Sequence, residues 1–172
     1  MSSKYFNIII RSKIPAFKKN LEVDSDKSIS IRSFLIGALS QQISSAKNVL
    51  ESEDVMSSIK CLKILGVKIT KIKTGNYLIY GKGLGSLTAK KNINLNFGNS
   101  GTLARLLVGT LTTTPRIEIN LKGDRSLNRR NMKKLINLMS KFGTFFLPKN
   151  KFNFPLKLIS TEIPIGIKYK AG

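Results

Sequence analysis

The chain repeats one order of predicted helices and strands at a nearly constant spacing, and this repeat constrains its fold more than any other feature. Asp26 and Gly98 each precede a predicted helix and lie 72 positions apart (98 − 26). Gly66 and Gly143 each end a predicted helix and lie 77 positions apart (143 − 66). Such a period indicates two copies of one α/β unit, and since units of this kind stack on their neighbours, a third copy is plausible.

Hydrophobic periodicity gives the same elements in both copies. In the first copy it predicts helices over residues 28–39 and 55–65, followed by strands over 67–73 and 76–80. In the second copy it predicts, in chain order, a helix over 102–111, a strand near 116–121, a helix near 129–142, and strands near 144–146 and 154–159. We therefore place the two units at about 26–95 and 98–165.

Both ends of the chain carry strand signals outside these two units. Residues 5–11 form a β-rich run that stops near Pro15, and another strand is expected from Ile167 onward. Since no capping residue or polar tail follows that last strand, we expect the chain to be a fragment of a longer protein.

The net charge and the residue composition exclude several classes of function. The net charge of +21 leaves a basic RNA-binding module as an alternative, but the lysines are spread over every segment and no RNA-binding signature accompanies them. One cysteine, Cys61, and no histidine argue against a disulfide or a bound metal. No apolar stretch is long enough to span a bilayer. We expect a cytoplasmic protein without nucleic-acid or membrane partners.

A first candidate site lies at the start of the predicted helix over 28–39. Unpaired backbone N–H groups and the helix dipole favour an anion there, and Lys27 and Arg32 add full charges. Ser28 and Arg32 are four positions apart, so a hydroxyl and a guanidinium share one helical face. The spacing alone is equally compatible with an anion site and with a solvated helix start.

A second candidate site is the stretch 97–105, where glycines at 98 and 101 allow a close approach of the backbone to an anion. Asn99 can donate a hydrogen bond to the same anion. The alternative is an ordinary turn in which Thr102 caps the following helix. The stretch occupies the same place in its repeat as the first site does, and this equivalence favours anion binding.

A third candidate site is the stretch 123–132, where Arg125, Arg129 and Arg130 lie beside a predicted helix start. Such a run of charge usually belongs to a solvated surface. One of these arginines is therefore expected to matter and the others not.

In this order and spacing, the three motifs resemble the 5-enolpyruvylshikimate-3-phosphate synthase family over nearly the whole chain. The resemblance implies an α/β fold of repeated βαβαββ units, an inside-out α/β barrel of which this chain holds an incomplete N-terminal part. It also implies that residues 1–20 belong to the other domain, which is missing here. Residues 21–172 would then form a partial N-terminal substrate-binding domain.

The same resemblance implies transfer of the enolpyruvyl group of phosphoenolpyruvate to the 5-hydroxyl of shikimate 3-phosphate, in aromatic amino acid biosynthesis, without a cofactor or metal. Full-length members of the family would be monomeric. The implied site residues are Lys27 for both substrates and as the catalytic proton donor, Ser28 and Arg32 for shikimate 3-phosphate, Asn99, Gly101 and Arg130 for phosphoenolpyruvate, and Thr102 and Arg105 as supporting residues.

The chain departs from the family pattern at two turns and lacks one set of residues. Asp24 and Ser25 replace the usual Pro-Gly, and Asn131 replaces a proline after the matched arginine, which removes turn rigidity. The acid–base residues of the second domain would lie beyond Gly172. We therefore expect the isolated chain to be inactive.

The related transferase that acts on UDP-N-acetylglucosamine is the nearest alternative. That enzyme has Lys-Asn where this chain has Lys27 and Ser28, and it often carries a loop cysteine. Cys61 instead falls on the apolar stripe of a predicted helix, which indicates a core residue.

Overall fold

The computed structural model of the chain describes residues 23–170, together with residues 9, 11 and 13. The strand predicted over 5–11 lies outside the continuous described part, and so does the assignment of residues 1–20 to another domain. Both stay predictions. Among the described residues, no helix is long and apolar enough to cross a membrane.

The first unit places two helices against a three-stranded antiparallel sheet. Its elements are α1 (Lys27–Leu39), β1 (Ile43–Ala46), α2 (Glu53–Ile64), β2 (Lys68–Lys73) and β3 (Asn76–Tyr80). The strand order is β1-β3-β2, with Ile43 opposite Tyr80 and Lys68 opposite Tyr80 on its other side.

The second unit places its helices against a mixed four-stranded sheet. Its elements are β4 (Ile93–Asn96), α3 (Gly101–Thr112), β5 (Glu118–Lys122), α4 (Arg125–Arg129), α5 (Lys133–Lys141), β6 (Phe145–Leu147) and β7 (Leu156–Ile159). The strand order is β4-β5-β7-β6, in which β4 and β5 run parallel and the other neighbours run antiparallel.

The two units share one topology. The order β1-β3-β2 of the first sheet recurs as β5-β7-β6 in the second, and in both units the first of these strands lies between two helices in the chain. The starts of α1 and α3 are 74 positions apart (101 − 27), and those of β2 and β6 are 77 apart (145 − 68). The predicted α/β repeat is therefore confirmed.

One continuous apolar core joins the two units. Phe34 of α1 packs edge-on against Tyr77 of β3, with ring centroids 5.2 Å apart, and Phe97 packs against Phe154 at 5.5 Å. The buried face of α3 is a stripe at helical spacing, formed by Leu103, Leu107 and Leu111. Because α1 contacts both α2 and α3, the starts of the predicted site helices are held on one body.

Glycines end both of the equivalent helices α2 and α5, as predicted. Gly66 has φ +85° and Gly143 has φ +101°, backbone conformations that other residues adopt only with strain. After α2, the N–H of Val67 donates to the carbonyl of Leu62, and this bond closes the helix end. The sharp turn lets each helix lead directly into the next strand.

The helix predicted near 129–142 is present as α5 but begins only at Lys133, because the chain leaves helical geometry at Arg130. That residue has ψ 136° and separates α4 from α5. Asn131 accepts a hydrogen bond from the N–H of Lys133 at 2.8 Å, and the N–H of Met132 donates to the carbonyl of Phe152 at 2.7 Å. These two bonds replace helical ones, so the break arises partly from a tertiary contact that no local pattern shows.

Three further differences concern strands. The short strands β1 and β4 were not predicted, since each has four residues of which two are polar. The strand expected from Ile167 onward is absent from the described residues up to Lys170, which follow an irregular path.

Candidate functional site

The first predicted site is the start of α1, and Asp26 shapes it. The Asp26 carboxylate accepts a hydrogen bond from the N–H of Ile29 at 2.6 Å and so caps the helix. Lys27 is the first helical residue, and its Nζ lies 2.8 Å from Oδ2 of Asp54. The ammonium group is therefore held in place by a carboxylate from another helix.

Asp54 is a neighbour of Lys27 that no sequence motif indicated. It lies in the first turn of α2, where the helix dipole stabilises an acid, and its side chain is only 18% exposed while that of Lys27 is 49% exposed. The available signal was the pair Glu53 and Asp54 at a helix start in a chain with only 9 acidic residues. An anion that binds Lys27 shares this cation with Asp54.

Ser28 and Arg32 lie one turn apart on α1, as their spacing predicted. Ser28 is half-buried and Arg32 is exposed. The Arg32 side chain lines a groove of about 260 Å³ between α1 and α3, together with Leu106 and Thr110. Within the part of the chain that the structure describes, no carboxylate lies within ion-pair distance of Arg32, so its charge is available to a ligand.

The second predicted site is the turn that leads from β4 into α3. Gly98 has φ +57°, and its carbonyl accepts a hydrogen bond from the N–H of Asp124 at 2.8 Å. Ser100 rather than Thr102 caps α3, since its hydroxyl accepts from the N–H of Leu103 at 3.3 Å. Thr102 lies in the first turn of the helix and is half-buried.

The third motif contributes one side chain to this turn. The Arg130 guanidinium donates from Nη2 to Oδ1 of Asn99 at 2.6 Å, and Arg105 donates from Nη1 to the carbonyl of Gly101 at 3.4 Å. A β-carbon at Gly101 would lie 2.8 Å from Nη1 of Arg130 and 3.1 Å from Nη1 of Arg105. Two guanidinium groups therefore flank the start of α3, and a side chain at position 101 would displace them.

The geometry of this cluster suits an anionic group. Asn99, Gly101, Arg105 and Arg130 combine two full positive charges with the positive end of a helix dipole. In the described residues, no carboxylate lies within ion-pair distance of either arginine. A guanidinium can bind a phosphate or carboxylate through two parallel hydrogen bonds, which fixes the orientation of the ligand.

Helix α2 lies between the two groups of site residues. Its Asp54 contacts Lys27, and its Ser57, one turn later, lies against Gly98. Lys27 and Arg32 lie on α1 and Arg130 follows α4, but among residues 23–170 these cations share no hydrogen-bond or ion-pair partner. The convergence of these three cations on a single ligand site stays a prediction.

Two further expectations concern Cys61 and Asn131. Cys61 is 1% exposed in the core, and burial raises the pKa of its thiol to about 12, so it is not a reactive loop cysteine. Asn131, which stands where the family pattern has proline, forms a side-chain turn onto the N–H of Lys133. That hydrogen bond supplies local rigidity beside Arg130. Among the residues described, no three potential metal ligands come together.

Comparison with known proteins gives one consistent result. Residues 12–170 match the family model of EPSP synthase (3-phosphoshikimate 1-carboxyvinyltransferase). The chain is 36% identical over 161 residues to the 3-phosphoshikimate 1-carboxyvinyltransferase of Syntrophomonas wolfei, covering 94% of this chain and 37% of that protein. It is 37% identical over 145 residues to that of Desulforamulus reducens, covering 84% of this chain and 33% of that protein.

A solved structure agrees with these sequence matches. The fold resembles that of EPSP synthase from Acinetobacter baumannii with a TM-score of 0.79 and 32% identity, covering 90% of this chain and 35% of that one. The chain thus spans about a third of the length of the relatives that it matches.

Proposed function

The chain belongs to the EPSP synthase family, and from this premise we propose that it forms the substrate-binding part of an enolpyruvyl transferase. The reaction would move the enolpyruvyl group of phosphoenolpyruvate to the 5-hydroxyl of shikimate 3-phosphate and release phosphate. The resemblance found in the sequence motifs is confirmed as a family relationship. The substrates and the roles of individual residues are proposals.

The observation that carries the proposal is the cationic cluster at the start of α3. Arg130 is held by Asn99 at 2.6 Å and lies beside Gly101, whose lack of a side chain leaves the helix start open. We assign the binding of phosphoenolpyruvate to this cluster and to Lys27. The ligand has a phosphate and a carboxylate, and both are groups that a guanidinium and a helix N-terminus bind well.

The start of α1 is the proposed site for shikimate 3-phosphate. Ser28 offers a hydroxyl and Arg32 an exposed guanidinium one turn away, and Lys27 adds an ammonium group between this site and α2. Hydrogen bonds to charged groups are worth about 1.5–3 kcal/mol each, so these three residues would bind a phosphate firmly.

Lys27 is the proposed catalytic residue of this chain. In the addition step, the substrate hydroxyl loses its proton and adds to C2 of phosphoenolpyruvate while C3 gains a proton. In the elimination step, phosphate leaves from C2 of the tetrahedral product and C3 loses a proton, which restores the enol double bond. The Lys27 ammonium would donate a proton or stabilise negative charge, and Asp54 holds it at 2.8 Å. The other cations orient the two anions and lower the repulsion between them.

We further propose that the chain alone does not catalyse enolpyruvyl transfer. An open cluster of cations acts through water of high dielectric constant, which weakens its electrostatic effect on the reacting groups. Acid–base groups contribute roughly 10²–10⁴-fold to such a reaction, and the 172 residues span only about a third of the length of the relatives. The complete protein would need no cofactor and would act as a cytoplasmic monomer. Release of phosphate by the 172-residue chain at a rate comparable to a complete relative would contradict this placement of the machinery.

The test of the proposed function is equilibrium binding to the full chain. Shikimate 3-phosphate and phosphoenolpyruvate should each bind and should perturb the amide NMR signals of residues 27–32 and 99–105, respectively. UDP-N-acetylglucosamine and a single-stranded RNA at physiological salt serve as comparison ligands. Tighter binding of either comparison ligand than of shikimate 3-phosphate would refute the proposal.

A further inference from the structure

One face of α2 contacts the backbone that leads into the Asn99 turn. Asp54, Ser57 and Cys61 are three and four positions apart, a spacing that aligns side chains along one side of a helix. They contact, in that order, Lys27 of α1, Gly98 of the turn and Asn96 at the end of β4. The single helix therefore contacts Lys27 of the first group and the backbone that leads into the second group.

Ser57 lies against the residue that gives the turn its shape. A β-carbon at Gly98 would lie 2.9 Å from the Ser57 hydroxyl oxygen and 3.9 Å from the Ser57 β-carbon. Gly98 is also held from two other directions, since its N–H donates to Oδ1 of Asn96 at 3.0 Å and its carbonyl accepts from Asp124 at 2.8 Å. The Ser57 hydroxyl lies on the side of Gly98 where a side chain would point, so it limits movement of that backbone toward α2.

Cys61 contacts the same segment at Asn96, two residues before Gly98. Its thiol donates to the carbonyl of Asn96 at 3.4 Å, and the residue is 1% exposed. Burial raises the pKa of this thiol to about 12, so it keeps the proton that the hydrogen bond needs. Asn96 and Gly98 are thus fixed from one helix on both sides of the buried Phe97 ring.

We propose that Ser57 and Cys61 are positioning residues of the phosphoenolpyruvate site: they hold the 96–98 segment so that Asn99 meets Arg130 in the geometry that binds the ligand. This inference rests on the proposed function only for the identity of the ligand. The positioning itself is a property of the unliganded chain. Neither residue touches the proposed ligand, because both act through the backbone of the turn.

The test compares five variants of the full chain, namely two single alanine changes, their combination and two conservative changes, with one control. Ser57→Ala and Cys61→Ala remove the two contacts, whereas Ser57→Thr keeps the hydroxyl and Cys61→Ser keeps a donor of similar size. Lys60→Ala changes an exposed residue of the same helix that contacts neither Asn96 nor Gly98. Amide hydrogen exchange is measured first, without any ligand.

The double variant Ser57→Ala/Cys61→Ala should exchange the amides of Gly98 and Ser100 about tenfold faster than the wild type, because one hydrogen bond and one packing contact are lost. Exchange at Ile119 in the neighbouring strand β5 should stay unchanged. The variants Ser57→Thr and Cys61→Ser should restore the slow rate. Unchanged exchange at Gly98, or faster exchange throughout both sheets, would overturn the proposal, the latter by showing a role in overall stability only.

Binding is measured second, with phosphoenolpyruvate and shikimate 3-phosphate as separate probes. We expect the double variant to bind phosphoenolpyruvate about five- to tenfold more weakly, since a misplaced contact loses most of its value, and to bind shikimate 3-phosphate as the wild type does. Equal loss for both probes would overturn the assignment to one subsite. If the wild type binds neither probe, the proposed function fails, while the exchange rates still decide the positioning role.

Discussion

The guanidinium of Arg130 donates to the side-chain oxygen of Asn99 over 2.6 Å, although 31 positions separate the two residues in the chain. This bond joins the turn before α3 to the break between α4 and α5. Because the donor is charged, the bond is stronger than one between neutral groups. It orients Arg130 toward the helix start while the remaining N–H groups of the guanidinium can bind a ligand.

The first prediction concerns Arg130. Replacing it with alanine should weaken phosphoenolpyruvate binding by roughly tenfold to a hundredfold, the range expected for a lost charged hydrogen bond, and should change shikimate 3-phosphate binding much less. Isothermal titration with each substrate measures both affinities. Arg129→Ala is the matched control, since Arg129 ends α4 and also carries an exposed guanidinium. Equal losses for the two substrates would argue against the assignment of Arg130.

The second prediction compares alanine substitutions at two glycines of α3. Gly101→Ala places a methyl group 2.8 Å from one guanidinium nitrogen of Arg130, and that flexible side chain must move away. We expect about tenfold weaker phosphoenolpyruvate binding with little loss of fold stability. Gly109→Ala meets no atom within 4 Å and should stabilise α3 by up to about 1 kcal/mol without any effect on binding. Thermal unfolding and titration of both variants check this contrast, which a large loss of stability in Gly101→Ala would contradict.

The third prediction concerns the partner of Lys27. Asp54→Asn removes a negative charge 2.8 Å from the ammonium group. Shikimate 3-phosphate should then bind about two- to fivefold more tightly at low salt, because the phosphate no longer competes with a carboxylate. Lys27→Ala should weaken the same binding. The two variants should therefore change the affinity for shikimate 3-phosphate in opposite directions. A titration in which both weaken binding equally would show that Asp54 contacts the ligand or orders the site.

The fourth prediction concerns acid stability and rests on Glu51. This carboxylate accepts hydrogen bonds from the N–H of Gly75, the ammonium of Lys71 and the hydroxyl of Tyr77, and these bonds lower its pKa from the usual 4.5 to about 2. The stability that it contributes is therefore fully present above pH 4.5 and is lost as the pH falls toward 2.

Glu51→Gln should consequently flatten the dependence of the free energy of unfolding on pH between 5 and 2, relative to the wild type. Denaturant unfolding at several pH values measures this slope. Glu162→Gln is a suitable control, since its side chain is 70% exposed and lies 3.7 Å from Arg116. A slope for Glu51→Gln that matches the wild type would show that Glu51 is not the group responsible.

Local sequence signals predicted the parts of the fold that depend on neighbouring residues. The strand over 76–80 was predicted with the bounds that the structure shows, and Gly66 and Gly143 end their helices as expected. Those features follow from alternation and from the freedom of glycine at positive φ. The strands β1 and β4 were not predicted, because each has only four residues, two of them polar, and so shows too short a hydrophobic pattern.

The site was predictable to a similar extent. Anion binding at the stretch 99–105 was predicted from glycines, an amide and a helix start and stays a prediction, while the contact between Asn99 and Arg130, which the resemblance assigned to one ligand, is present in the structure. Asp54 could not be paired with Lys27 from the sequence, because that contact arises only when α1 packs against α2. The break at Arg130 likewise depends on the distant carbonyl of Phe152.

The strand order of the first sheet shows a second physical effect of the many lysines in this chain. Strand β2 lies at the edge of that sheet, and three of its six residues are lysines, at positions 68, 71 and 73, with an irregular register near its end. Two copies of an unprotected edge could pair through their open backbone groups and nucleate cross-β aggregates. Like charges on both approaching edges repel each other, so the lysines of β2, of which Lys71 is also paired with Glu51, disfavour edge-to-edge self-association.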